Sequence, residues 1–164
     1  MFNHFFKFSL LLISALLITS CGDDEEPTIT PPPMNQEEFV IYDGADITFT
    51  KEDDTDETLE SNQDRINDDV WITRGTDGGE IFNIRTESVS SKGNSPAGTE
   101  WSLGTTANIS GLTFGSFRDA VNPQDVVGKS LVLHLIEEDA YLDIEFSSWT
   151  QGKAGGFSYT RSTK

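Results

Sequence analysis

Cysteine is almost missing from the 164-residue chain: Cys21 stands alone, so neither an intramolecular disulfide framework nor a cysteine-built metal cluster can form. Histidine is as scarce, with His4 and His134 only, and that excludes a zinc site built from several histidines. Cations are few: Lys plus Arg total 11 against 28 Asp plus Glu, a formal charge of −17. Such a chain has nothing with which to neutralise a run of phosphates, so nucleic acid is excluded as a partner. No apolar run reaches the about 20 residues that a membrane-spanning helix needs. No window holds a 3.6-residue period, no segment repeats, and no glycine-rich phosphate loop leads into a helix. The length suits one domain with a tail.

What is present begins with an address. Met1–Lys7 carries one lysine, and Phe8–Ile18 is an apolar run of eleven residues broken only by Ser9 and Ser14, the length of a secretory h-region. The run ends in Leu17-Ile18-Thr19-Ser20-Cys21-Gly22. This resembles the lipobox of bacterial lipoproteins, with an aliphatic residue at −3 and small residues at −2 and −1 before the cysteine. The resemblance implies cleavage before Cys21, a diacylglyceryl group on its thiol and acylation of the freed amine. The lipid bilayer, reached through acylated Cys21, is then the expected first partner. One acyl chain binds marginally at about 0.8 kcal/mol per buried CH₂, and two or more hold stably.

The block Gly22-Asp23-Asp24-Glu25-Glu26 resembles the surface-export signal of Bacteroidetes lipoproteins and implies the cell outer membrane, surface-exposed or periplasm-facing. Pro31–Pro33 imposes extended geometry, and charge repulsion stretches the acidic part. Residues 22–38 read as a tether spanning up to about 50 Å at ~3.1 Å per residue. The expected organisation is a signal peptide over 1–20, the lipidated cysteine and an acidic, proline-rich tether over 21–38, and one folded domain over 39–164.

From Phe39 on, short β-branched and aromatic runs alternate with Gly, Asn, Asp and Ser clusters. Strands are expected at Phe39–Tyr42, Ile47–Lys51, Val70–Arg74, Glu80–Arg85, Leu112–Phe114, Leu131–Ile136, Tyr141–Trp149 and Phe157–Arg161. Many short strands without helices predict an all-β domain, an antiparallel β-sandwich or, as the alternative, a barrel-like closure. A first hairpin turns at Gly75–Gly79 and predicts Arg74 opposite Glu80, with Ile72 facing Phe82. A second turns at Glu137–Ala140 and predicts Ile136 opposite Tyr141 and Leu133 opposite Ile144. Its wholly apolar face should form the core, because each buried large side chain is worth about 1.5–3 kcal/mol.

Chemistry-bearing residues fall into four groups. In the predicted register His134 faces Asp143, half of a general-base arrangement, but the serine hydroxyls on that face, Ser130 and Ser147, lie about 13 Å along the hairpin, and Tyr141, which is closer, would need activation. Asp143 and Glu145 sit roughly 7 Å apart on one strand face, within the range of paired glycosidase carboxylates, as on any alternating acidic strand. The stretch Asp43–Asp69 holds eleven carboxylates against Lys51 and Arg65. Asp53, Asp54, Asp56, Asp64, Asp68 and Asp69 are candidate ligands for calcium, which takes six to eight oxygens, although Leu59 stands where an EF-hand loop would need glycine. Trp71, Trp149 and Tyr141 are candidate ligand-binding aromatics for a polysaccharide or surface protein.

The segments Glu60–Ile66, Val70–Arg74, Tyr141–Thr150 and Gly155–Arg161 together resemble a β-domain recurring in secreted and surface proteins of Bacteroidetes, covering most of residues 45–162. That resemblance implies an extracellular β-domain and assigns no catalytic residue. The expected function is a non-catalytic binding or adhesion module on the cell envelope. The alternatives are a small hydrolase acting on glycans and a structural subunit of a surface complex. Cys21→Ala should abolish metabolic labelling by radioactive palmitate and move the protein from the membrane to the soluble fraction; a labelled, membrane-bound variant would remove the anchor.

Overall fold

The computed structural model describes residues 39–164. The expected signal peptide over 1–20 and the expected lipidated Cys21 and tether over 21–38 lie outside the described residues. Nine strands follow in order: β1 (Val40–Tyr42), β2 (Gly44–Lys51), β3 (Asp64–Arg65), β4 (Trp71–Arg74), β5 (Ile81–Asn83), β6 (Thr99–Leu103), β7 (Ser130–Leu135), β8 (Ala140–Trp149) and β9 (Phe157–Thr163). The one α-helical turn among the described residues, α1 (Phe117–Ala120), precedes β7, and short 3-10 turns lie at Glu60–Asn62, Thr106–Gly111 and Pro123–Asp125.

The strands make an all-β sandwich and no closed barrel. The larger sheet runs β2-β9-β8-β7-β6, and the smaller is β3-β4-β5. Among the nine strands all pairings are antiparallel except one: β1 lies parallel to β8, with Val40 opposite Ala140 and Tyr42 opposite Leu142. That departs from a purely antiparallel expectation. The cause is the length of β8: β9 pairs with it only from Ile144 onward, which leaves its first residues open to β1.

Period-two alternation packs the core. Leu131, Leu133 and Leu135 of β7 meet Leu142, Ile144 and Phe146 of β8, and all six are buried. Val70, Ile72 and Ile81 cover them from the smaller sheet, with Trp101, Phe117, Phe157 and Tyr159 in the same cluster. Phe146 is the aromatic centre, 5.1 Å from Tyr159 and 5.7 Å from Phe117 between ring centroids.

Both hairpin registers differ from expectation. In the second, Leu135 pairs with Ala140, Leu133 with Leu142 and His134 with Tyr141, a slip of two. The turn occupies 136–139 because Asp139 accepts a left-handed φ of 47°, one that Asp tolerates, while Ile136 goes out to solvent. A slip of two returns every side chain to its face, so the apolar face survives. In the first hairpin Arg74 pairs with Ile81, Thr73 with Phe82 and Ile72 with Asn83, a slip of one. Both faces of β4 are covered from Ile72 to Arg74, so hydrophobic alternation does not select between registers there. Leu112–Phe114 is not a strand; only Gly115 forms a bridge, to Trp101 of the unexpected β6.

Between the sheets lies a buried charge. Asp64 of β3 receives Tyr159 Oη at 2.6 Å and Arg161 Nε at 2.7 Å on Oδ2, and Arg161 Nη2 at 2.9 Å on Oδ1. Both ionic partners are 5% exposed. Burial, then the Asp64 charge, push the Tyr159 phenol well above its ordinary pKa, so it stays a donor. Burial opposes the charge on Arg161, but the Asp64 contacts outweigh it and the pKa ends above its ordinary value.

A second tie joins β1 to the β7–β8 turn. Glu138 accepts Tyr42 Oη, Asn67 Nδ2 at 2.8 Å and Lys164 Nζ at 3.4 Å. The Tyr42 hydrogen bond holds Glu138 below the usual carboxylate range, and burial followed by Glu138 raises Tyr42 to about 12. Asp64→Asn or Arg161→Met alone should cost about 3–5 kcal/mol in denaturant unfolding, because each strands a buried partner. The double variant should recover much of that loss; full additivity of the two losses would show that the groups are not coupled.

Candidate functional site

The expected calcium ligands do not converge. Asp53 Oδ1 accepts the Gly156 amide at 3.1 Å, Asp56 Oδ1 caps Thr58 through amide and hydroxyl at 2.8 and 2.7 Å, and Asp64 is taken by Arg161. Asp54 sits in a left-handed turn, and Asp68 and Asp69 are exposed. Among the described residues no three His, Cys, Asp or Glu side chains gather where they could hold a metal ion. The local chain uses its carboxylates to tie turns, because a short loop satisfies its amides most directly with neighbouring Asp and Asn oxygens.

The expected His134–Asp143 pair is also corrected. The slip of two puts Val132 opposite Asp143, and Asp143 accepts the amide and hydroxyl of Thr106, both at 2.8 Å. Those bonds hold the segment Thr106–Gly111 over the outer face of the larger sheet. His134 instead meets Glu100 at 3.2 Å through Nδ1 and Asp139 at 3.1 Å through Nε2. Its ring stacks on Tyr141 at 4.3 Å. Both ring nitrogens are engaged by carboxylates. A shallow groove of about 380 Å³ on this outer face is lined by Asp46, Asp143, Glu145, Ser130, Ser147 and Thr160.

The three candidate aromatics are not brought together. Tyr141 is buried between His134 and Phe114, 5.4 Å from the latter, and its hydroxyl donates to Asp139 at 3.1 Å. Trp71 is half-buried with Arg65 4.1 Å and Arg85 5.3 Å from its ring, and its indole donates to the Asn67 carbonyl at 3.1 Å. Trp149, half-buried, packs inward on Phe146 and Phe157 and outward lines a cavity of about 280 Å³. Arg74, Glu80, Lys92, Arg118 and Gln124 share that lining.

Each wall of this cavity follows from local chemistry. Arg74 leaves β4 buried and lies 4.0 Å from the Trp149 ring. Its guanidinium donates to the carbonyls of Gly79 at 3.1 Å, Thr150 at 2.7 Å and Gly156 at 3.1 Å. Burial pulls its pKa below the ordinary value, but a guanidinium keeps its charge in proteins. Gly155 lets the two loops meet: at φ 76°, an added Cβ would stand 2.5 Å from the Gly75 carbonyl oxygen.

Arg118 arrives from the other side. Ser116 and Asp119 form a reciprocal capping box that starts α1, and Phe117 anchors the turn 4.9 Å from Trp101. Arg118 then donates through Nε to Glu80 Oε1 at 2.7 Å, and its Nη2 pairs with the same oxygen. Glu80 is 3% exposed, and its second oxygen, Oε2, has no hydrogen-bond partner. The Glu80 amide donates to Ser90 Oγ at 3.2 Å. Arg118 and Lys92 were not found from the sequence; the Ser116-Phe117-Arg118-Asp119 capping pattern was the available signal for the first. Arg74 and Glu80, expected to stand opposite each other, do not: the one-residue slip puts Arg74 opposite Ile81, and Glu80 pairs with Arg118.

No protein-family model matches the chain, and no curated protein and no solved structure does so significantly. Among the described residues no helix is long and apolar enough to cross a membrane.

Gly79 holds the Glu80 wall in place: φ is 117°, and a Cβ there would stand 2.2 Å from Ser90 Oγ. Gly79→Ala should therefore lower stability by about 1–3 kcal/mol, read in thermal or denaturant unfolding. An unchanged midpoint would show that the 75–79 turn relaxes freely.

Proposed function

We propose that this protein is a lipid-anchored, non-catalytic binding module of the cell envelope, held to the outer membrane through acylated Cys21. The polar cavity beside Trp149 is where it takes its ligand. The reading rests on one structural observation above all: in a strongly acidic chain, the cavity beside Trp149 is lined by Arg74, Lys92 and Arg118 together with Gln124 and Gln151. Such a set supports recognition, because a concave site with an apolar wall and a few convergent polar groups is the usual form of a ligand site. It also favours binding over hydrolysis, since the Glu80 carboxylate is held by Arg118 and the histidine of the domain is engaged elsewhere. The sequence supports the location through the lipobox and the acidic block after Cys21.

The test is affinity electrophoresis of the detergent-solubilised full chain through gels containing acidic and neutral polysaccharides. The wild type should be retarded, and Gln124→Ala with Gln151→Ala, both at the exposed rim, should reduce that retardation about three- to tenfold. Release of reducing sugar would establish a hydrolase instead. Migration unaffected by every polysaccharide would remove glycan binding.

A further inference from the structure

The larger sheet ends differently on its two sides. At β6 the edge is closed, because Trp101 and Gly115 exchange backbone hydrogen bonds at 2.9 and 3.0 Å. At β2 the order of strands stops: β2 pairs with β9 and with no second strand among the described residues. In an antiparallel pair every second residue turns its amide and carbonyl away from the partner, so β2 carries a row of unpaired groups along its outer edge. The register is regular from Ile47 to Lys51, about 17 Å at ~3.4 Å per residue, after the irregularity between Gly44 and Ile47. The strand faces solvent: Ile47, Thr48 and Thr50 are exposed and Phe49 is half-buried. The edges of the smaller sheet belong to strands of two and three residues, too short to template a partner.

The two faces of β2 decide what an added strand would meet. On the inner face Phe49 lies 5.7 Å from Phe157 and 5.8 Å from Tyr159 between ring centroids, and Ile47 on the same face is 42% exposed. On the outer face the hydroxyl of Thr48 pairs with that of Thr160 at 3.0 Å, and that of Thr50 with Ser158 at 2.8 Å. A neighbour with alternating apolar and hydroxyl side chains continues both rows. Charge decides at the ends. Asp43 and Asp46 precede the regular stretch, Glu52, Asp53 and Asp54 follow it, and all five are exposed. Lys51 offers no cation at the edge, since it is buried with Nζ on the Thr55 carbonyl at 2.9 Å. The outer-face groove beside Asp46 adds Asp143 and Glu145. A second copy would bring the same acidic ends against these and be repelled, whereas a strand with basic ends is attracted.

We infer that the β2 edge is a docking site for an extended basic peptide of a partner protein, which adds a strand beside Ile47–Lys51 and sets Lys or Arg side chains against the acidic ends. Main-chain hydrogen bonds supply the affinity, and the flanking charges select the partner. The edge shares no residue with the cavity beside Trp149 and serves independently of the ligand taken there.

The experiment is fluorescence polarisation of labelled synthetic peptides titrated with the detergent-solubilised full chain. The probe is Lys-Lys-Val-Thr-Val-Thr-Val-Lys-Lys, and its acidic counterpart carries glutamate in place of lysine. The basic peptide should bind saturably, and the acidic one at least about tenfold more weakly. Two further basic versions carry backbone N-methyl groups, on the valines or on the threonines. An added strand pairs along one of its edges only, so one version should lose at least about tenfold in affinity while the other binds nearly unchanged. Asp46→Lys with Glu52→Lys, both at exposed positions, should weaken the basic peptide about tenfold and strengthen the acidic one. Equal affinity of the two methylated versions overturns the inference, because bare charge attraction is indifferent to the backbone edge. Basic-peptide affinity unmoved by the double variant overturns it too. A wild-type dimer in sedimentation whose β2 amides are protected from hydrogen exchange would give the edge to a second copy, with the same result.

Discussion

The carboxylate of Asp64 is the fastening between the two sheets. The smaller sheet contributes three short strands, and strands of two to four residues bury too little on their own to hold a face. Arg161 and Tyr159, both from β9, reach across and saturate Asp64 with three hydrogen bonds. A buried ion pair of this kind adds little net stability over an apolar substitute, but its geometry tolerates one arrangement only. It thereby sets where β3 sits, and through β3 the position of β4 and of Arg74 at its end. The cavity beside Trp149 inherits its location from that chain of contacts.

A chain so acidic must also manage its own repulsion. The structure does so by using carboxylates locally, as acceptors for nearby backbone amides, at Asp56, Asp119 and Glu87. The few cations are kept for other duties. Arg161 crosses between the sheets, Arg74 collects carbonyls from two loops, and Arg65 and Arg85 lie against Trp71. Arg118 is set apart from these, because it neutralises one oxygen of Glu80 and leaves the other without a partner. Among the described residues that other oxygen is the one buried side-chain oxygen or nitrogen without a hydrogen-bond partner.

The β8 hairpin shows how far reasoning from residues reached. Alternating Leu131, Leu133 and Leu135 against Leu142, Ile144 and Phe146 was enough to identify the central face, because burial on one side imposes a period of two. The same argument placed His134 opposite Asp143 and was two residues out, since the left-handed Asp139 moved the turn. Hydrophobic alternation is blind to a slip of two, and the functional pairing of polar side chains is sensitive to it. The β4–β5 hairpin was harder, because its residues are covered on both sides and no alternation records the register. β6 was missed because Thr99-Glu100-Trp101-Ser102-Leu103 carries no strong apolar run; its place is set by Trp101, drawn into the core between β7 and Gly115.

Composition and pattern alone were sufficient for the all-β class, the absence of any cysteine framework, the acidic character and most strand positions, because these depend on neighbours a few residues apart. What needed the folded molecule was every meeting of distant side chains: Asp64 with Arg161, Glu80 with Arg118, Arg74 with Trp149. Those pairs are separated by tens of residues, and their contact depends on register, on single left-handed turns and on how two sheets lie across each other. A charge in the sequence has no partner until packing supplies one, and so the cavity could be seen only in three dimensions.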